Sequence, residues 1–78
     1  MNFEEAIELL KEAGEPVKLA RKGWNRKGMY CFTQFPNYNS KMTHPYLVMV
    51  IPDCEEGTRL LPWQPAQVDV FAEDWGIV

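Results

Sequence analysis

This chain has little of what most enzymes and metalloproteins use. Among its 78 residues are one histidine and two cysteines. Cys31 and Cys54 stand far apart and fit no metal or redox spacing. As two lone thiols they suit a reducing compartment better than a disulfide-stapled secreted domain. Cys31 falls in a predicted strand and reads as a small core residue, Cys54 in a turn. His44, beside Pro45 in a polar loop, reads as a surface residue rather than a ligand or base. There is no P-loop, nucleophile elbow, Cys/His cluster or paired histidines. The acidic turn at 52–57 lacks the alternating oxygen ligands of a calcium loop. No metal, cofactor or catalytic residue is expected. No apolar run approaches the roughly 20 residues of a membrane span. Met1 leads at once into an acidic amphipathic segment, not a signal peptide. With no repeat, low-complexity segment or linker, residues 1–78 read as one domain.

What the chain does have is aromatic surface and uneven charge. Three Trp, three Tyr and four Phe are many for so short a chain. A small monomer does not easily hide them, so self-association is plausible. The net charge of −3 argues against a general nucleic-acid binder. Yet Lys18, Arg21, Lys22, Arg26 and Lys27 fall within ten residues, while five glutamates crowd the first fifteen. One local basic patch on an acidic molecule suits a small anion better than a long duplex.

The secondary structure follows from pattern. Asn2 can cap a helix with Glu5 as reciprocal partner. Phe3, Ala6, Ile7 and Leu10 then recur at helical spacing, and Gly14 supplies a stop, so a helix is expected over 3–13. Residues 17–21 alternate as a half-buried strand. Residues 29–35, rich in β-forming side chains, pair with it as a hairpin around the charged turn. A loop follows over 36–45. The apolar run 46–51 reads as a central strand buried on both faces. Residues 58–61 return as a strand. Pro65 suits a helix's first turn, and Val68, Phe71 and Ala72 form the apolar face of a two-turn helix. Residues 75–78 read as a final strand. The expected class is α+β: an N-terminal helix packed on an antiparallel sheet of about four or five strands, with a short second helix before the last strand.

The chemistry gathers in Arg-Lys-Gly-Trp-Asn-Arg-Lys-Gly-Met-Tyr (21–30). Two glycines there allow close backbone approach. Trp24 offers a flat face, Asn25 donors and an acceptor, and Arg21, Lys22 and Lys27 charged donors for phosphate. Tyr30, Trp63 and Trp75 can stack on a base, and Asn25, Gln64 and Gln67 can read base edges or ribose hydroxyls. The plain alternative is a solvated turn with Trp24 packed on the core. Asp69, Glu73 and Asp74 are carboxylates for acid–base work only if they are not solvated or capping, the usual fate of acids on helices.

Three stretches resemble one family: the Gly-Trp-Asn turn of 21–30, Pro-Tyr-Leu-Val-Met (45–49) and Trp-Gln-Pro-Ala-Gln-Val-Asp-Val-Phe-Ala-Glu-Asp-Trp (63–75). The opening Met-Asn-Phe-Glu-Glu-Ala is similar too. The family is the phage Thoeris anti-defence family of the second type. The resemblance covers most of the chain, in order. It implies a sponge that binds glycocyclic ADP-ribose, the signal of bacterial TIR-domain enzymes, without cleaving it. In some members it also captures cyclic dinucleotides. It further implies a homotetramer with ligand pockets where protomers meet, acting in the cytoplasm of the infected host. On this resemblance Trp24 is the stacking face, Asn25 belongs to the same turn, and Gln67 and Asp69 bond ribose or base. Arg26 stands where a small residue is expected and Ala66 where a serine is. The 36–44 loop aligns with nothing. A small nucleotide-cleaving enzyme and a protein–protein interaction module stay open as alternatives.

Overall fold

Helix α1, Phe3–Lys11, opens the chain. Its start is the reciprocal cap expected: the Asn2 side chain accepts from the Glu5 amide at 2.9 Å, and Glu5 Oε1 accepts from the Asn2 amide at 3.2 Å. Two orphan amides are thereby satisfied at once. Near its end, the Thr33 hydroxyl donates to the Leu10 carbonyl at 2.7 Å, supplying a partner for a last-turn acceptor. The computed structural model describes residues 1–12, 17–24, 28–36, 42–52 and 57–78. Gly14, the expected helix stop, lies outside them, as do Asn25, Arg26, Lys27 and Cys54.

Five strands follow: β1 (Leu19–Arg21), β2 (Tyr30–Gln34), β3 (Tyr46–Ile51), β4 (Arg59–Pro62) and β5 (Trp75–Ile77), with helix α2 (Gln67–Val70) before the last. The sheet order is β4-β3-β2-β1-β5, and every neighbouring pair is antiparallel. The class and architecture expected from the sequence are therefore the ones found, with β1 and β2 paired across the charged turn. The chain returns from one edge of the sheet to the other, so β5 pairs with β1. That register places Arg21 opposite Trp75. It joins the basic turn to the C-terminal segment.

One face of the sheet carries the core. Leu19, Cys31 and Met49 lie in register across β1, β2 and β3 and bury against Ala6 and Leu10 of α1. Trp75 completes the cluster and meets Phe3 ring to ring at 5.9 Å. Strand β3, second in the sheet rather than central, is buried on both sides, as its apolar run implies. Met49 faces the helix, while Val48 and Val50 bury on the opposite face. At the chain start, the Trp75 amide donates to the Met1 carbonyl at 3.1 Å, and the Met1 nitrogen donates to the Trp75 carbonyl at 2.8 Å. Gly28, at φ +83°, occupies the left-handed region where a side chain is strained. A Cβ there would also lie 3.1 Å from the Pro52 ring.

Helix α2 departs from expectation. It is one turn, not two, and begins at Gln67 rather than at Pro65. Val68 and Phe71 do not face the core; they are 69% and 81% exposed. The residue it buries is Asp69, at 6% exposure. The helix is inverted relative to its apolar pattern because Asp69 has three donors waiting inside.

Candidate functional site

Asp69 is the hub. Its Oδ1 accepts from Arg21 Nη1 at 2.8 Å and from the Trp24 indole at 3.2 Å. Its Oδ2 accepts from the Ala66 amide at 3.0 Å, which caps α2 from the third helical position. Its main-chain carbonyl accepts from the Trp75 indole at 3.0 Å. Asp74 takes the other side of Arg21, with Oδ1 2.8 Å from Nε, and its Oδ2 accepts from the Gly23 amide at 2.8 Å. Arg21 thus sits in a fork of two carboxylates. Such charge-assisted bonds are short and orienting.

The electrostatics follow from this fork. The Asp74 and Asp69 partners raise the Arg21 guanidinium above its ordinary value. Burial works against charge on Asp69, but Arg21, the Trp24 indole and the Ala66 amide outweigh it and hold the carboxyl below the usual range. Arg21, helped by the Gly23 amide, does the same for Asp74. Two carboxylates around one guanidinium leave a local charge of −1. Burial pushes the Cys31 thiol up to about 12, so it stays protonated and inert.

Three indoles surround this centre. Trp24 meets Trp75 at 5.3 Å and Trp63 at 5.9 Å, both edge-on, and Trp63 meets Trp75 at 6.1 Å. Edge-to-face contact is a favoured aromatic geometry, and it fixes the Trp24 plane. Trp24 borders two clefts of about 470 Å³ each. Arg21, Gly23, Met29 and Asp69 line one. Lys18, Arg21 and Tyr30 are among those lining the other. Lys18 Nζ lies 5.1 Å from the Tyr30 ring centre. An apolar hollow of about 210 Å³ between α1 and strands β2 and β3 gathers none of the predicted site residues.

Of the residues predicted from sequence, Arg21, Trp24, Trp63 and Asp69 meet directly, and Tyr30 joins Arg21 and Trp24 around the second cleft. Lys22 and Gln67 are exposed, near the cluster but outside the contacts just described. Asn25 and Lys27 lie outside the described residues. Asp69 and Glu73, both expected as acids on the second helix, do not share it: α2 ends at Val70, and the partner of Asp69 is Arg21. It also left Asp74 among possible catalytic acids. A strand-end Arg and a distant Asp-Trp pair hint at such a fork only once β1 is known to pair with β5. Among the described residues, no group of three His, Cys, Asp or Glu could hold a metal ion, and no helix is long and apolar enough to cross a membrane.

Fold and site define a small α+β domain built around an indole trio and a guanidinium fork. The chain belongs to the Thoeris anti-defense 2-like domain family, whose model matches residues 1–78. It is 31% identical to Thoeris anti-defense 2 of Bacillus phage SP01, over the whole of this chain and 94% of that protein. Membership places it among phage anti-defence proteins.

Proposed function

We propose that this protein captures a cyclic nucleotide immune signal and holds it without cleaving it, so that the defence effector is never switched on. The candidate ligand is glycocyclic ADP-ribose from TIR-domain enzymes, with cyclic dinucleotides second. The observation that carries the reading is the Trp24 ring, held edge-on by two other indoles and bordering two clefts of about 470 Å³. That volume lies within the range of about 300–1,000 Å³ usual for small-ligand sites. Trp24 stacks on a base, Tyr30 walls the second cleft, and Lys22 and Lys27 meet the pyrophosphate. Asn25 and Gln67 supply polar contacts to ribose or base. Arg21, Trp63 and Asp69 hold the platform.

Capture rather than turnover fits the carboxylates. A general acid or base works best with a pKa near the operating pH. Asp69 and Asp74 are held below the usual carboxylate range, in the opposite direction. A sponge acts by stoichiometry and needs slow release. A nanomolar constant corresponds to about −12 kcal/mol, which a small polar ligand reaches only when enclosed. Enclosure comes from a second copy in a homotetramer, for which the exposed Val68, Phe71 and Leu60 supply apolar surface. The place of action is the cytoplasm of the infected host.

The test is a melting curve with and without cyclic ADP-ribose isomers and cyclic dinucleotides, followed by heat release and mass measurement of the ligand. A ligand at about 100 times its dissociation constant adds about 2.7 kcal/mol, a rise of roughly 10 °C or more in a domain this size. A rise with the ligand recovered intact supports capture. A ligand recovered altered means an enzyme. No shift with any of them points to a protein partner instead.

A further inference from the structure

We infer that Asp74 is the positioning residue of the binding turn. This rests on the reading of Trp24 as the stacking face. Asp74, just before β5, grips three consecutive residues at the end of the neighbouring β1. Its carboxylate accepts from Arg21 Nε and from the Gly23 amide, each at 2.8 Å. Its main-chain carbonyl accepts from the Lys22 amide at 3.2 Å. The Trp24 amide then closes the turn on the Arg21 carbonyl at 3.2 Å. The division of labour between the two carboxylates is clear. Asp69 holds side-chain ends, Nη1 of Arg21 and Nε1 of Trp24. Asp74 also holds Arg21, at Nε, and adds what Asp69 does not reach, the Lys22 and Gly23 backbone.

Position 23 shows how close the grip is. A Cβ there would stand 3.1 Å from both Asp74 Oδ2 and Arg21 Nη2. Glycine leaves room for the carboxylate to reach the amide. Asp74 itself lines neither cleft around Trp24. Its effect on a ligand is therefore indirect: it keeps the turn in the bound geometry before the ligand arrives, and so removes an ordering cost from binding. Asp74 keeps 31% of its side chain exposed, so replacing it does not empty the core.

Asp74→Asn is the informative change. It has one acceptor oxygen where Asp74 has two, so Arg21 or the Gly23 amide must lose its partner, and the new NH2 faces a donor. Two readouts apply. One is hydrogen exchange of the Gly23 and Trp24 amides in the ligand-free protein. The other is dissociation of glycocyclic ADP-ribose from the folded variant at 25 °C. Thr33→Val, which removes the buried bond to Leu10 away from the turn, serves as a control for lost stability alone. The expected result is exchange at Gly23 and release of ligand both accelerated by about tenfold. Thr33→Val should leave both unchanged. Asp74→Glu keeps the charge, should retain the Arg21 pair and recover part of the loss, and substitutes for Asp74→Asn should that variant not fold. Unchanged exchange overturns the inference, and so does a loosened turn with unchanged release. A wild type that captures no cyclic nucleotide overturns the proposed function instead, and the ligand-free exchange then decides the role of Asp74 in ordering the turn.

Discussion

Replacing Asp69 by Asn tests the centre of the structure with a change of almost no volume. The carboxylate receives three protein donors through two oxygens: Arg21, Trp24 and the Ala66 amide. Asn keeps one oxygen. If it stays on Arg21 and Trp24, the new NH2 points at the Ala66 N–H. If it turns to Ala66, the guanidinium and the indole lose their acceptor. Either way the carboxylate charge opposite Arg21 is lost and at least one donor is left without its acceptor. The first costs about 1 kcal/mol, the difference between a charged and a neutral acceptor, and the second about 1–3 kcal/mol, so about 3 kcal/mol in all is expected. A domain of this length has a total stability of about 4–12 kcal/mol. Thermal unfolding followed by circular dichroism should therefore fall by about 12 °C or more. A fall under about 2 °C would refute the reasoning. It would place the pair with exposed ion pairs, which contribute about 0–1 kcal/mol.

Acidification should act on the same fork. Both carboxylates have depressed folded-state pKa values, so their contribution is complete well above the unfolded value of about 3.9 and is lost as pH falls through the lower folded values. Melting temperature should drop below about pH 4, and the drop should be shallower in Asp69→Asn. Gly28→Ala forces a side chain into the left-handed region against Pro52 and should cost about 1–2 kcal/mol by denaturant titration. In a Cys54→Ser background, the Cys31 thiol should resist aromatic disulfide reagents at pH 8 until the protein is unfolded, because burial holds it near 12. Phe71→Ser should leave the melting temperature of the single chain almost unchanged, within about 0.5 kcal/mol, yet shift the size-exclusion elution toward smaller species if α2 is an assembly surface.

Local signals were readable wherever the interaction that decides them is local. The Asn2/Glu5 cap is a four-residue pattern, and it is present bond for bond. The apolar run of β3 and the β-forming side chains of β2 mark strands because both signals lie within a few adjacent residues. Helix α2 shows where this stops. Val68, Phe71 and Ala72 have helical spacing, and counting hydrophobicity turns all three inward; of them, Ala72 alone packs against the core. The structure turns Asp69 inward because its donors come from residues 45 and 48 positions earlier. No window of the sequence contains both. Within the candidate site, the residue types were visible: Trp24, Arg21 and Asp69 were all named. Their partners were not, because the β1–β5 pairing that brings them together spans most of the chain.

The pairing also changes what the basic stretch means. As a string, residues 18–27 carry five cations and look like a seat for an anion. In the fold, Arg21 spends its Nε and Nη1 on carboxylates, and the fork as a whole is negative. A phosphate approaching Trp24 from the Asp69 side meets that charge at close range, where a like-charge contact is costly. The opposite side differs. There Lys18 stands against Tyr30 in the cleft that Arg21 and Trp24 share, and the lysine is exposed and free to turn toward a ligand. A base stacked on Trp24 can tolerate the acidic side, since its edges carry donors as well as acceptors. A pyrophosphate cannot. On the proposed reading, an anionic nucleotide would therefore bind with its base toward Asp69 and its phosphates toward Lys18.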